Sequence, residues 1–242
     1  MRVAVISDVH GNRPALEAVL EDVQRFAPDE VWCLGDTVGY GAAPNRCCEL
    51  VSEHTNLTLV GNHDLVVTGG LDADDFNDDA RAAALWTRDV LEPRWRDWLA
   101  SLEPQDGRDG VALFHASARN PVWEYVLSAE AAAASLEAVS APLVLVGHSH
   151  VALSIGMHDG AVDGGLAPAG SERDLATARW LLNPGSVGQP RDGDARAAWL
   201  LLDLERKFAS FRRVTYPVER AQAEIRAAGL PPSLADRLAA GI

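Results

Sequence analysis

Nine side chains able to hold a metal ion or move a proton stand just past short apolar runs. Asp8 and His10 follow Val3-Ala4-Val5-Ile6, and Asp36 follows Val31-Trp32-Cys33-Leu34 and a glycine. Asn62, His63 and Asp64 follow Leu57-Thr58-Leu59-Val60 and Gly61. His115 follows Val111-Ala112-Leu113-Phe114, and His148 and His150 follow Leu143-Val144-Leu145-Val146 and Gly147. Five of the seven histidines are placed this way; the other two, His54 and His158, fall at a helix end and in a loop and read as surface residues. An Asp-x-His or a Gly-Asp alone is usually a turn. Gly-His-Ser-His is more telling, because an extended pair at i and i+2 after a glycine can aim two imidazoles into one cavity. Five runs each ending in such residues make a common site the economical explanation, since open α/β sheets form their sites beyond the carboxyl ends of strands.

Carboxylates, imidazoles and an amide without any thiolate suit Mn, Fe, Zn, Ni or Co rather than a structural tetrahedral zinc. There are more candidate ligands than one ion takes, so a carboxylate shared between two ions is expected. Two-metal sites with ions ~3.5–4 Å apart clamp an in-line displacement at phosphorus, and water between two cations loses its proton readily.

The elements that must carry these residues follow from periodicity. Residues 2–7 read as a buried strand, continuously apolar as in parallel sheets. Asn12 is placed to cap a helix with Pro14 in its first turn, and Leu16, Val19, Leu20, Val23 and Phe26 recur at helical spacing. A strand over 30–34, a helix over 44–54 and a strand over 57–60 continue the alternation of an α/β protein with a parallel sheet. The stretch 72–79 is acidic and turn-rich. Helices are expected over 79–91 and 92–102, where Trp86, Trp95 and Trp98 read as packing. Further on come a strand over 111–114, an alanine-rich helix over 129–139 and a strand over 142–146. A loop or hairpin is expected within 156–174, then strands over 179–182, 197–204 and 208–214 that alternate like an antiparallel or mixed sheet. Helices over 221–228 and 234–240 end the chain. No repeat or low-complexity linker appears, so a single domain over 1–242 is expected, with a helical insertion at about 72–104 and C-terminal helices at about 218–240.

Composition narrows the function classes. At 48% apolar, the 242 residues can build one large core. No apolar run approaches the ~20 residues that span a bilayer. The first residues lack the long apolar segment of a secretory signal, so the expected location is the cytoplasm with no membrane partner. A formal charge of −14, with Lys207 the only lysine, argues against bulk nucleic acid as a partner. A small phosphorylated substrate remains compatible if metal ions supply the positive charge. Three cysteines, at 33, 47 and 48, with no Cys-x-x-Cys give neither a disulfide framework nor a cysteine zinc site. Nothing decides whether the chain forms a homo-oligomer.

Asp8-x-His10, Gly35-Asp36, Gly61-Asn62-His63-Asp64, His115 and Gly147-His148-Ser149-His150, in that order, resemble the calcineurin-like metallophosphoesterase superfamily. Asn183-Pro184-Gly185-Ser186-Val187-Gly188-Gln189-Pro190-Arg191 resembles its small bacterial and archaeal phosphodiesterase branch. The resemblance implies a four-layer α/β/β/α sandwich of two mixed β-sheets. It implies two divalent transition-metal ions, manganese first among them. Asp8, His10 and His150 would hold one, Asn62, His115 and His148 the other, and Asp36 would bridge. His63 would stabilise the transition state or protonate the leaving oxygen, with Asp64 holding its ring charged and aimed.

Asn12 reads as a helix cap first and a substrate contact second. Arg191, in a glycine- and proline-rich loop, could fork onto a phosphate or pair with Asp192 or Asp194. Tyr40 could line the pocket, although aromatic packing explains it as well. The expected activity is phosphodiester hydrolysis on a small or nucleotide-like substrate, by attack of a hydroxide bridging the ions. A phosphomonoesterase or nucleotide pyrophosphatase with the same core is the alternative enzyme. A scaffold that has lost catalysis would lack His63 or Asp36, and both are present. A serine hydrolase is disfavoured, since no Gly-x-Ser-x-Gly elbow occurs.

Overall fold

The computed structural model describes all 242 residues. In the first half, β1 (Arg2–Ile6), α1 (Arg13–Phe26), β2 (Glu30–Cys33), α2 (Pro44–His54) and β3 (Leu57–Thr58) alternate, followed by α3 (Asn62–Thr68), α4 (Asp78–Val90) and α5 (Pro93–Ala100). Then come β4 (Gln105–Arg108), β5 (Val111–Phe114), α6 (Ala129–Glu137), β6 (Leu143–Leu145), β7 (Ala152–His158), β8 (Ala161–Leu166) and β9 (Glu172–Asp174). The chain ends with β10 (Arg179–Pro184), β11 (Ala197–Asp203), β12 (Phe208–Val214), α7 (Val218–Ala227) and α8 (Pro232–Ala240).

The strands form two six-stranded mixed sheets, ordered β3-β2-β1-β11-β12-β9 and β4-β5-β6-β10-β7-β8. In the first, β1 is parallel to β2 and antiparallel to β11, with Val3 opposite both Glu30 and Leu202. In the second, β5, β6 and β10 are parallel, while β4, β7 and β8 run antiparallel to their neighbours.

Side-chain alternation explains the four layers. Val3 and Val5 of β1 and Leu200 and Leu202 of β11 meet Val111, Leu113, Leu143, Leu145 and Leu182 from the other sheet, forming the core between sheets. The intervening residues face outward. Ala4, Ile6, Ala197 and Trp199 pack under α1, α2, α7 and α8. Phe114, Val144, Val146 and Leu181 pack under α6. Each of these strands buries both faces, which is why its sequence reads as continuously apolar. A fourth cluster, with Val66, Val67, Ala84, Leu91 and Leu99, joins α3, α4 and α5; Trp95 and Trp98 lie half-buried against it, as packing residues should.

Several expectations shift. The third strand pairs over only two residues; Leu59 N–H still reaches the Cys33 carbonyl at 2.8 Å, and the Val60 N–H, on the other side, bonds the Glu103 carbonyl at 3.0 Å. Residues 62–68 form a helix that the periodicity did not announce; Asp64 sits at its third position and accepts the Gly61 N–H at 3.1 Å, closing the first turn. The hairpin expected within 156–174 begins earlier, at Ala152. The polar strand β4 was not foreseen, although Asp109-Gly110 (φ 52° and 81°) has the left-handed pair of a tight hairpin turn.

Candidate metal centre

Loops after β1, β2, β3, β5 and β6 converge at one edge of the paired sheets. Five candidate ligands there have left-handed backbones: Asp8 (φ 55°), His10 (49°), Asp36 (53°), His148 (61°) and His150 (59°). Such conformations cost about 1–2 kcal/mol each for residues with a Cβ, and persist only where surrounding bonds dictate them. Here the loops are cross-tied. Asp8 N–H donates to the Gly35 carbonyl (3.0 Å), and His10 N–H to the Asp36 carbonyl (2.9 Å). The Asp8 carbonyl accepts from Gly188 N–H (3.0 Å) and the Ser186 hydroxyl (2.8 Å). Arg191 N–H donates to the His150 carbonyl (3.1 Å).

The side chains fall into two groups that share Asp36: Asp8, His10, Asp36 and His150, and Asp36, His115 and His148. The amide oxygen of Asn62 lies 3.2 Å from His115 Nε2 and belongs with the second. Asp36 Oδ1 accepts the His63 backbone N–H at 2.9 Å. Its Oδ2 is buried without a hydrogen-bond partner, 3.5 Å from both His10 Nε2 and His115 Nε2. One carboxylate oxygen therefore faces both groups.

Three imidazoles are held from behind. His10 Nδ1 is 3.1 Å from the Val38 carbonyl, His115 Nδ1 is 2.8 Å from that of Leu34, and His150 Nδ1 is 2.7 Å from that of Gln189. A carbonyl only accepts, so each Nδ1 carries the proton and each Nε2 presents a lone pair to the cluster. Burial pushes the His10 and His150 pKa values well below the usual imidazole range and that of His148 down to about 2. Burial also raises the Asp8 carboxyl to about 7 and that of Asp36 well above its ordinary value.

Neutral His10 and His150 thus face each other as acceptors, Nε2 to Nε2, at 3.0 Å. His148 Nε2 is also buried without a partner. Bare lone pairs this close, beside an orphaned carboxylate oxygen, are what a cation would satisfy. The residues fit divalent transition metals, and the three cysteines lie elsewhere, buried and free.

Three readings of individual residues change. Asp64 does not touch the His63 ring. Its two oxygens accept the backbone N–H groups of Val38 (2.9 Å), Gly61 (3.1 Å) and Thr37 (3.2 Å), so it ties the loop after β2 to the start of α3. His63 Nδ1 has no partner, and burial, with Arg191 adding to it, drives the ring well below its usual pKa. It is neutral rather than held charged, and its ring is wedged between Tyr40 and Phe76, each with its centroid 4.4 Å away.

Asn12 has no group left for a substrate. Its oxygen caps Ala15 N–H (3.2 Å), and its amide donates to the Gly188 carbonyl (2.7 Å) and the Tyr216 hydroxyl (3.3 Å). Arg191 pairs with neither Asp192 nor Asp194, because Arg213 takes the first and Arg196 the second. Its guanidinium contacts Gln189 Oε1 (2.9 Å) and the Tyr40 hydroxyl (3.3 Å), a cation beside the cluster with no carboxylate to neutralise it.

Sequence reasoning missed an aromatic wall. Phe76, Trp123 and Tyr125 join Tyr40, Asn62 and His63 around a cavity of about 290 Å³. Tyr125 stacks on His148, with centroids 4.1 Å apart and planes 14° from parallel. Phe76 and the 123–125 segment lie in irregular stretches without periodicity, so only their aromatic character was a signal.

Fold and cluster together define a metallophosphoesterase architecture. The calcineurin-like phosphoesterase superfamily domain matches residues 1–207, and the chain belongs to that superfamily. A metallophosphoesterase of known structure from Sphaerobacter thermophilus is 42% identical, superposes with a TM-score of 0.91, and is matched over 100% of this chain and 99% of its own. An uncharacterized protein of Methanocaldococcus jannaschii is 36% identical over 99% of this chain and 98% of its own length. A symmetrical bis(5'-nucleosyl)-tetraphosphatase of Actinobacillus pleuropneumoniae is 38% identical over 68 residues, 27% of this chain and 25% of that protein. No helix is long and apolar enough to cross a membrane.

Proposed function

We propose that the chain is a phosphodiesterase that works with two divalent transition-metal ions, manganese being the first to test. Asp8, His10 and His150 would hold one, and Asn62, His115 and His148 the other, with Asp36 between them. Bound there, such ions would neutralise the phosphoryl oxygens and supply a hydroxide nucleophile at neutral pH. The unpartnered Asp36 Oδ2, equidistant at 3.5 Å from an imidazole of each group, carries this reading.

The protein's own groups do the rest. Arg191 binds a phosphoryl oxygen through a guanidinium free of competing carboxylates; one such cation suits the single charge of a diester. His63, neutral and wedged by Tyr40 and Phe76, keeps its proton and donates a ring N–H hydrogen bond to the charge developing on the departing oxygen. The buried cluster keeps bulk water from the reacting phosphorus. The local match to a tetraphosphatase supports a second reading, cleavage of a nucleoside polyphosphate, and the same panel tests it.

Protein stripped of metal and reloaded separately with Mn, Fe, Zn, Ni or Co is assayed on bis(p-nitrophenyl) phosphate, p-nitrophenyl phosphate and a dinucleoside polyphosphate. Diester turnover should appear on loading and vanish with chelator. His63→Ala should lower kcat by roughly 10²–10⁴ with metal retained. Wild-type protein inert across the whole panel would refute the proposal.

A further inference from the structure

The cavity beside the cluster differs in kind from the cluster itself. It is walled by Tyr40, Phe76, Trp123 and Tyr125 and floored by Asn62 and His63. No arginine or lysine lines it, and its one charged residue is the exposed Asp75. Arg191 contacts the hydroxyl of Tyr40, with its guanidinium 5.7 Å from the ring centroid. The site is thus polarised, with a lone cation serving the phosphoryl group and an aromatic, mildly anionic cavity beside it. A phosphate would be repelled from that cavity, and a neutral planar group would be accepted.

Core packing accounts for Tyr40 and for one side of Phe76, but not for Trp123 and Tyr125. Tyr125 is 48% exposed although it lies flat on His148, and neighbouring Leu127 is 58% exposed. Phe76 lies against His63 on one side and meets Trp123 edge-on at 6.0 Å on another. The rim is polar. Asn77 uses its oxygen to cap Ala80 N–H at 2.9 Å, which leaves its amide free to donate, and Asp75 can only accept. A nucleobase edge carries both donors and acceptors, and its faces stack on aromatic rings whatever the base. At about 290 Å³ the cavity is at the small end of ligand sites, roughly 300–1,000 Å³, suited to one base and not to a large polymer.

We infer that the cavity bounded by Phe76, Trp123 and Tyr125 is a nucleobase subsite, so that the ester this enzyme cleaves joins its phosphate to a nucleoside. This deepens the proposed phosphoesterase reading and rests on it for the phosphate's position. The test measures binding, not turnover, so the two can fail separately.

Calorimetric titration of manganese-loaded protein with adenosine 5'-monophosphate and with ribose 5-phosphate isolates the base, since the phosphate and sugar are shared. Wild type should bind the nucleotide at least about tenfold tighter; removing one stacking ring is roughly a five- to hundredfold effect. Trp123→Ala and Tyr125→Ala should bring the ratio toward one, and Trp123→Phe should restore most of it. Should an alanine variant fail to fold, Trp123→Leu and Tyr125→Leu, which keep apolar bulk without a ring, decide in its place. Equal affinity of wild type for the two ligands, no measurable nucleotide binding, or a ratio that survives loss of the rings would each overturn the inference. A collapsing ratio in a protein with no esterase turnover would leave the subsite standing and sink the proposed function. Diester turnover with a wild-type ratio near one would do the reverse.

Discussion

Replacing Asp64 separates two roles that its position beside His63 allows. If it acts on the imidazole, Asp64→Ala should mimic His63→Ala: turnover falls and the fold is indifferent. The structure gives it other partners. Its buried carboxylate accepts backbone N–H groups from Thr37, Val38 and Gly61 at 3.2, 2.9 and 3.1 Å. Alanine would leave three donors unpaired in a dry region, each costing ~1–3 kcal/mol, partly recovered where water enters the vacated space. A net loss of about 3–5 kcal/mol follows, typical of breaking a buried charged network. For a chain of this size each kcal/mol lowers Tm by ~2–4 °C, so the midpoint should fall by roughly 6–20 °C. Asp64→Asn should fare little better, since its NH₂ would confront either the Val38 N–H or those of Thr37 and Gly61. Calorimetry on chelator-treated protein is the assay, because bound ions would mask the loss. A variant that melts within about 2 °C of wild type while losing turnover like His63→Ala would refute this reasoning.

Two further outcomes follow from the cluster. Asp36→Ala removes the one oxygen that faces both groups, so metal content after gel filtration should fall for both ions together, whereas His150→Ala should cost mainly one; an Asp36→Ala protein that keeps full metal content would overturn the sharing. The share of metal-free stability that Asp8 contributes should fall as pH rises. Asp8 titrates near 7 when folded against an ordinary 3.8, so the folded state holds that proton more tightly. The group's contribution is fully present below pH ~4 and is lost as pH climbs through ~7, an amplitude of about 4 kcal/mol at ~1.4 per pKa unit. The depressed histidines are common to both proteins, so the urea midpoint of wild type minus that of Asp8→Asn, in chelator, should fall from pH 5 to 8, and a difference that stays level or grows counts against it.

The members of the cluster were legible in the sequence because carboxylate, imidazole and amide at strand ends have few other uses together. The two-sheet sandwich came from the family resemblance, while alternation along β1, β5, β6 and β11 explains it physically. Asp64 was misread for an identifiable reason. With no helix placed over residues 62–68, neighbours His63 and Asp64 can face each other. On a helix, adjacent residues diverge by about 100°, and α3 turns Asp64 back onto Gly61 and the 37–38 backbone. Arg191 was ambiguous because two carboxylates follow within three positions; only folding shows Arg213 and Arg196 claiming them. The aromatic wall joins residues 76 and 123–125, whose meeting depends on loop paths that periodicity does not encode.

The least legible part of the centre is backbone. His10, His115 and His150 are oriented by the carbonyls of Val38, Leu34 and Gln189, and carbonyls carry no residue identity. Leu34 and Val38 flank the left-handed Asp36 in the loop after β2, and Gln189 lies in the loop after β10. At Asp8, His10, Asp36, His148 and His150 the left-handed backbone turns the chain at the candidate ligand itself. Space is correspondingly tight, and a Cβ at Gly61 would fall on Asp36 Oδ1. Strain of about 1–2 kcal/mol at each of five residues is tolerable only with the loops bound to one another. The bonds from Asp64 to Val38 and Gly61 are part of that binding, so a carboxylate bonded only to backbone N–H groups helps hold the geometry of the whole centre.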